Sequence, residues 1–177
     1  GEVKCINELG ELARMLGDLD GARDHYQDAM ERMDRLGAPD LHIVRLNLAL
    51  VLLLQRRSRE ARPLLERSLR AFIESEHRAL VGCSHVLLLP CCAAIGDWAG
   101  WDRHLVAAQA ELHTSGFVDV DIAEAAQSGA REAETAGQIS RARQAWRLAA
   151  AQWARLERGD DAEACLEHLQ ALDVLDD

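Results

Sequence analysis

One spacing recurs four times along this chain and limits it to very few architectures. A first set of positions holds Gly10, Ala49, Leu89 and Ala130, and a second holds Ala22, Ala61, Trp101 and Ala142. A third is large and apolar, Tyr26, Leu65, Leu105 and Trp146, and a fourth is small, Ala29, Ser68, Ala108 and Ala149. Every set advances by about 39, then 40, then 41 residues. A period in this range predicts a helical solenoid, because a single unit cannot bury its own apolar face and must stack on the next.

Composition agrees with helix. The 177 residues include only three prolines, and 49% are hydrophobic and 28% charged, which suits a packed domain and not a disordered tail. The net charge of −10 argues against a nucleic-acid partner, since phosphate contacts need a basic face. The apolar runs Leu48 to Leu54 and Val86 to Ile95 are too short to span a bilayer, so no membrane role is expected. Five cysteines in no framework spacing fit a reducing compartment, and the location expected is cytoplasmic. The chain starts at Gly1 and not Met, as expected of a fragment of a longer protein.

Each unit reads as two antiparallel helices and a tight turn. The units cover about residues 3–37, 41–74, 77–113 and 121–157, all within one domain spanning 1–177. Gly17 is placed to end the first helix in the left-handed conformation, and Asp18 to cap the second. Gly37, Ala38, Pro39 and Asp40 form the break before the second unit. Arg56 stands where other units have a turn glycine, so a different turn is expected there. A longer break from Thr114 to Asp121 precedes the fourth unit, with Asp121 and Glu124 as its capping pair. A ninth helix over about 160–173 puts Ala162, Cys165, Leu166, Leu169 and Leu172 on one face, as a terminal cap requires.

These residues resemble the tetratricopeptide repeat family. Leu9-Gly10, Gly17-Asp18, Ala22, Tyr26 and Ala29 carry the likeness in the first unit, and Ala130, Gly137, Ala142, Trp146 and Ala149 in the fourth. The period exceeds the family's commonest value of about 34, as in its long-period members. The resemblance implies an all-α, right-handed superhelix of four helix-turn-helix repeats plus a capping helix. Leu89 and Trp101 depart from the small residues close packing wants, so the third helix pair should splay or Trp101 should swing aside. The stretch from Gly116-Phe117-Val118-Asp119-Val120-Asp121 to Gln152-Trp153-Ala154-Arg155-Leu156 also resembles C-terminal repeat arrays of large bacterial signalling proteins. Those carry an ATPase or kinase module upstream.

In such arrays the first helix of each unit lines a concave groove. By register the groove positions are Lys4, Asn7, Glu11 and Arg14, then Ile43, Leu46, Leu50 and Leu53. The third unit offers Cys83, Val86, Pro90 and Ala93 with Leu87 beside them, and the fourth Glu124, Gln127, Arg131 and Glu134. The groove is then apolar at its centre and polar at its ends. Ile43, Leu46, Leu50, Leu53, Val86, Leu87 and Pro90 are the candidate partner-binding residues. Either a partner's helix or extended apolar segment occupies that centre, or the superhelix is tight, or a neighbouring segment of the parent fills it. The two middle units place no basic group in the groove, which argues against capture of a peptide's terminal carboxylate.

Other clusters point to packing. Adjacent Cys91 and Cys92 diverge by about a hundred degrees on a helix and make a poor metal pair beside Cys83 and His85. Pro90 should kink its helix. Asp18, Asp20 and Gly21 lack the remaining ligands of a calcium loop. No phosphate loop, His-Glu-x-x-His pair or nucleophile elbow occurs. The expectation is a non-enzymatic protein- or peptide-binding module without cofactor or metal, part of a larger signalling protein. The alternative is a sensor or autoinhibitory segment controlling an attached ATPase or kinase.

Overall fold

In the computed structural model, which describes residues 2–37 and 41–174, all regular structure is α-helical. The helices are α1 (Glu2–Met15), α2 (Leu19–Leu36), α3 (Leu41–Leu54), α4 (Ser58–Glu74), α5 (Arg78–Ala93), α6 (Trp98–Ser115), α7 (Val120–Thr135), α8 (Ile139–Arg155) and α9 (Gly159–Val174). They fall into two compact units, Gly1–Glu76 and His77–Asp177. In the first, α1 pairs with α2, α2 packs on α3, and α3 pairs with α4. In the second, α5 pairs with α6 and α7 with α8, α7 lies against α5, and α9 packs on α8.

The four periodic sets form the core. Gly10, Ala49, Leu89 and Ala130 are buried, as are Tyr26, Leu65, Leu105 and Trp146 and both remaining sets. The chemistry of each contact follows from size. A Cβ on Gly10 would stand 2.8 Å from the Tyr26 ring, so the missing side chain on α1 is what lets the Tyr26 ring lie against it. Ser68, in a nominally small position, satisfies its hydroxyl by donating to the His42 carbonyl at 3.0 Å.

Every pair closes on one turn. The Gly17 N–H donates to Arg14 and the Asp18 N–H to Ala13, at 3.0 and 2.9 Å, with Gly17 at φ +80°. The Asp18 carboxylate then accepts from the Gly21 N–H at 2.9 Å, which makes it a helix cap and not a calcium ligand. Arg56 does not make a different turn. It takes φ +61°, and Arg56 and Arg57 donate to Leu53 and Leu52 at 2.9 and 2.8 Å, the same pair of bonds. A left-handed non-glycine residue costs about 1–2 kcal/mol, which closing the two hydrogen bonds helps offset. Ala38, Pro39 and Asp40 lie outside the described residues.

Three expectations need correction. The cap of α7 is Asp119, whose carboxylate accepts from the Asp121 N–H at 2.8 Å; Asp121 already lies inside the helix. The break is correspondingly shorter, and α8 ties it down: Arg155 Nη2 donates to the Gly116 carbonyl at 2.6 Å and the Asp119 N–H to Gln152 Oε1 at 3.4 Å. On α9, Ala162, Cys165, Leu169 and Leu172 are buried but Leu166 is 50% exposed, because the true stripe steps by three, four and three. Trp101 is fully buried in a close-packed site. The small residue it needs is supplied by α7, where a Cβ on Gly129 would meet the Trp101 ring at 3.0 Å and Leu89 Cβ at 3.2 Å.

Inside the α5–α6 pair, His85 Nδ1 and His104 Nδ1 stand 2.8 Å apart, so one donates and the other accepts. Burial first, and the His104 charge second, push His85 from its ordinary 6.5 down to about 4.

Two outcomes follow from this packing. Alanine at position 129 would recover about 1 kcal/mol of helix propensity over glycine, so the sharper probe is Gly129→Val. It is expected to destabilise by about 2–3 kcal/mol in urea denaturation, and Trp101→Leu should relieve part of that loss. Because the unfolded chain binds a proton on His85 that the folded chain refuses, stability rises with pH between about 4 and 6.5 and falls as the solution is acidified through that window. Melting temperature followed by circular dichroism from pH 7 to pH 4 checks this, and His85→Gln should flatten the slope.

Candidate partner-binding surface

The first helices carry the candidate surface, and the two units present it differently. In the first unit α1 and α3 are tied where Asn47 Nδ2 donates to Asn7 Oδ1 at 3.3 Å. Glu11 is exposed beside them and Asn7 and Arg14 are half-buried; nothing is described of the Lys4 side chain. On α3, Ile43 is 42% exposed and Leu53 half-buried, whereas Leu46 and Leu50 are buried at 6% and 8%. The cause is the composition of α3, which is apolar on nearly every side. A helix of that kind is covered by each of its neighbours, here α1, α2 and α4.

In the second unit the α5 candidates are core. Val86 and Leu87 are at most 1% exposed, Pro90 is fully buried, and α5 continues through Pro90 to Ala93. Cys83, Cys91 and Cys92 are buried with them, and burial drives the Cys83 thiol well above the usual cysteine range, so it stays protonated. Among the described residues no three His, Cys, Asp or Glu side chains are placed to hold a metal ion. Also among them, no helix is long and apolar enough to cross a membrane.

The α7 positions are accessible and polar. Glu124 and Arg131 are exposed and Gln127 and Glu134 half-buried. Here the fold assembles a cluster that periodicity alone did not reveal. Trp146 Nε1 donates to Glu134. His168 of α9 sits 3.0 Å from both Glu134 oxygens and packs its ring 4.5 Å from that of Trp146. The Arg131 guanidinium lies 5.3 Å from the same indole centroid. Gln127 Nε2 donates to Cys165 Sγ at 3.1 Å. The cluster pins α9 to α7 and α8 and fixes the orientation of Glu134. Its members lie 12 and 34 residues from Glu134 along the chain, so only the stacking of three helices brings them together.

The comparisons with known proteins fit this architecture. Among curated proteins none matches the chain. Solved structures do match it at low identity. TPR-like repeats of a kinesin light chain-like protein from Podosopora anserina align with TM-score 0.62 and 14% identity, over 97% of this chain and 95% of theirs. BtubC (BKLC) from P. vanneervenii aligns with TM-score 0.58 and 17% identity, over 98% of this chain and 80% of its own. Aspartyl phosphate phosphatase F from Bacillus subtilis gives 0.59 and 16%, over 97% of this chain, which spans about half (49%) of the phosphatase. These likenesses show the fold. The tetratricopeptide repeat profile itself matches residues 3–99, and with paired helices, shared turns and periodic core in place, the chain belongs to the tetratricopeptide repeat family, whose repeats generally serve protein–protein interaction.

Proposed function

We propose that this chain is a protein-binding module that takes a peptide or protein segment along its first helices. The observation that carries the reading is Ile43, a large apolar side chain left 42% exposed in the first turn of α3, while Leu46 and Leu50 further along are buried. Leu53, half-buried one face-length further on, extends the apolar contact. Leu46 and Leu50 form the layer beneath and hold the two in place, and Val86, Leu87 and Pro90 play the corresponding supporting part in the second unit. Glu124, Gln127, Arg131 and Glu134 supply polar contacts there. Within the first unit, an apolar anchor on α3 beside Asn7, Glu11 and Arg14 of α1 suits an amphipathic helix or an extended segment with alternate apolar residues.

We read the module as part of a larger signalling protein. The likeness of residues 116–156 to bacterial signalling arrays supports that placement. A regulatory form of the same reading has the bound segment belong to an attached ATPase or kinase module.

A phage-displayed peptide library selected on the chain, followed by calorimetry on the selected peptides, tests the surface. Selected peptides are expected to share apolar residues at helical or alternate spacing. Ile43→Glu should weaken their binding about tenfold, roughly 1.4 kcal/mol, while Arg59→Glu on the exposed side of α4 leaves it unchanged. Position 50 is unsuited to this test, because a carboxylate at a site only 8% exposed would perturb the fold itself. Unaltered affinity in Ile43→Glu would remove the proposed contact.

A further inference from the structure

The turn and helix that follow α3 concentrate positive charge. Residues 56–70 hold six arginines and two glutamates, in a chain whose net charge is −10. Both glutamates are engaged inside the segment. Arg57 grips both Glu60 oxygens, at 2.7 and 2.8 Å, and Arg62 Nε donates to Glu66 Oε1 at 2.7 Å. Arg56, Arg59, Arg67 and Arg70 are exposed, and among the described residues no carboxylate pairs with any of them. Asp20 of α2 is itself held by Arg23 at 2.8 Å and by Gln55 at 3.0 Å. The excess charge is felt on α3: burial, and then the charge of Arg67, hold the Arg45 guanidinium below its usual range, with Asp34 opposing them.

The helical period gathers these four side chains. α4 buries Ala61, Leu65, Ser68, Leu69 and Phe72, and Arg59, Arg67 and Arg70 stand on the opposite side. Arg59 and Arg70 are eleven residues apart, three turns, which puts them on one face about 16 Å from each other. Arg56, in the turn before the helix, accompanies Arg59, and Arg67 accompanies Arg70. Between the two pairs the exposed residue is Pro63, which carries no charge. Glu74, one turn beyond Arg70, marks where the strip stops.

We propose that the outer face of α4 is a docking surface for an acidic segment of a partner protein, whose carboxylates sit on the two arginine pairs about 16 Å apart. The guanidinium fork matches a carboxylate with two parallel hydrogen bonds. This chain already uses that mode: Arg57 holds Glu60 so, and Arg141 holds Asp102 at 2.8 and 2.7 Å. A long polyanion such as a nucleic acid suits the strip poorly. It would run past these few arginines onto a chain that is otherwise acidic, whereas a short acidic segment ends with the strip. The surface lies on a second helix, apart from the first-helix face that holds Ile43, and its failure would leave that reading intact.

The probe is a fluorescein-labelled peptide with two pairs of glutamates whose centres are about five residues apart, which spans about 16 Å when extended. Fluorescence anisotropy with the full chain should show binding that weakens about tenfold as salt rises from about 50 to about 300 mM. Arg59→Gln with Arg70→Gln should weaken it about tenfold at low salt, with an unchanged circular dichroism spectrum because both positions are exposed. Ile43→Glu should leave it as it was. Equal binding of the same peptide with glutamine for glutamate would overturn the proposal, as would undiminished binding in the double variant. Loss of binding in Ile43→Glu would place the peptide on the first helices instead. Tighter binding of a single-stranded oligonucleotide of equal charge would assign the strip to nucleic acid, and a dimer in light scattering that the double variant dissociates would assign it to a second copy; either result also overturns the proposal.

Discussion

No helix in this protein can bury its apolar face alone, and the close approach of one helix to the next is what the rest of the structure depends on. That approach is set by pairing an absent or small side chain with a large one. Gly10 faces Tyr26 inside the first pair, and Gly129 faces Trp101 across two pairs. The second case shows that the rule belongs to the contact and not to a fixed position. Where the third unit puts bulk at Leu89 and Trp101, the neighbouring helix gives up its side chain, and both large residues remain fully buried.

The same dependence decides which surfaces stay open for a partner. Each first helix packs on its own second helix and on a neighbouring pair, so an apolar helix such as α3 loses most of its surface to neighbours. On α3 Ile43, Leu54 and the edge of Leu53 remain accessible, and on α7 a polar row does. The row on α7 is held by the contacts of Glu134 with Trp146 and His168, which make the capping helix part of the same assembly. The accessible surface of the first helices is thus what stacking leaves over, and its chemistry differs between α3 and α7.

Much of this was legible in the residues. The steps near 40 gave the helix pairs, Gly17 marked the turn after α1, and Asp18 announced itself as a cap, whose carboxylate accepts from the Gly21 N–H at 2.9 Å. What misled was local chemistry read without its surroundings. Arg56 lacks glycine's freedom yet accepts a left-handed conformation because two hydrogen bonds close around it. Asp121 has a capping pattern, but Asp119 two residues earlier wins the cap. Leu166 fits a broad helical face, while the stripe that α8 covers is narrower.

By itself the sequence determined the helix pairs, their turns and the positions that would be buried, because those depend on spacing along the chain and on side-chain size. Only the tertiary structure decided how much of each apolar helix remains in contact with water. Exposure depends on how many neighbours a helix acquires, and that number is set by stacking across residues far apart in the chain. It covers Leu46, Leu50, Val86, Leu87 and Pro90 and leaves Ile43 exposed. It also brings His168 to Glu134, a meeting of three helices that no periodicity within one of them encodes.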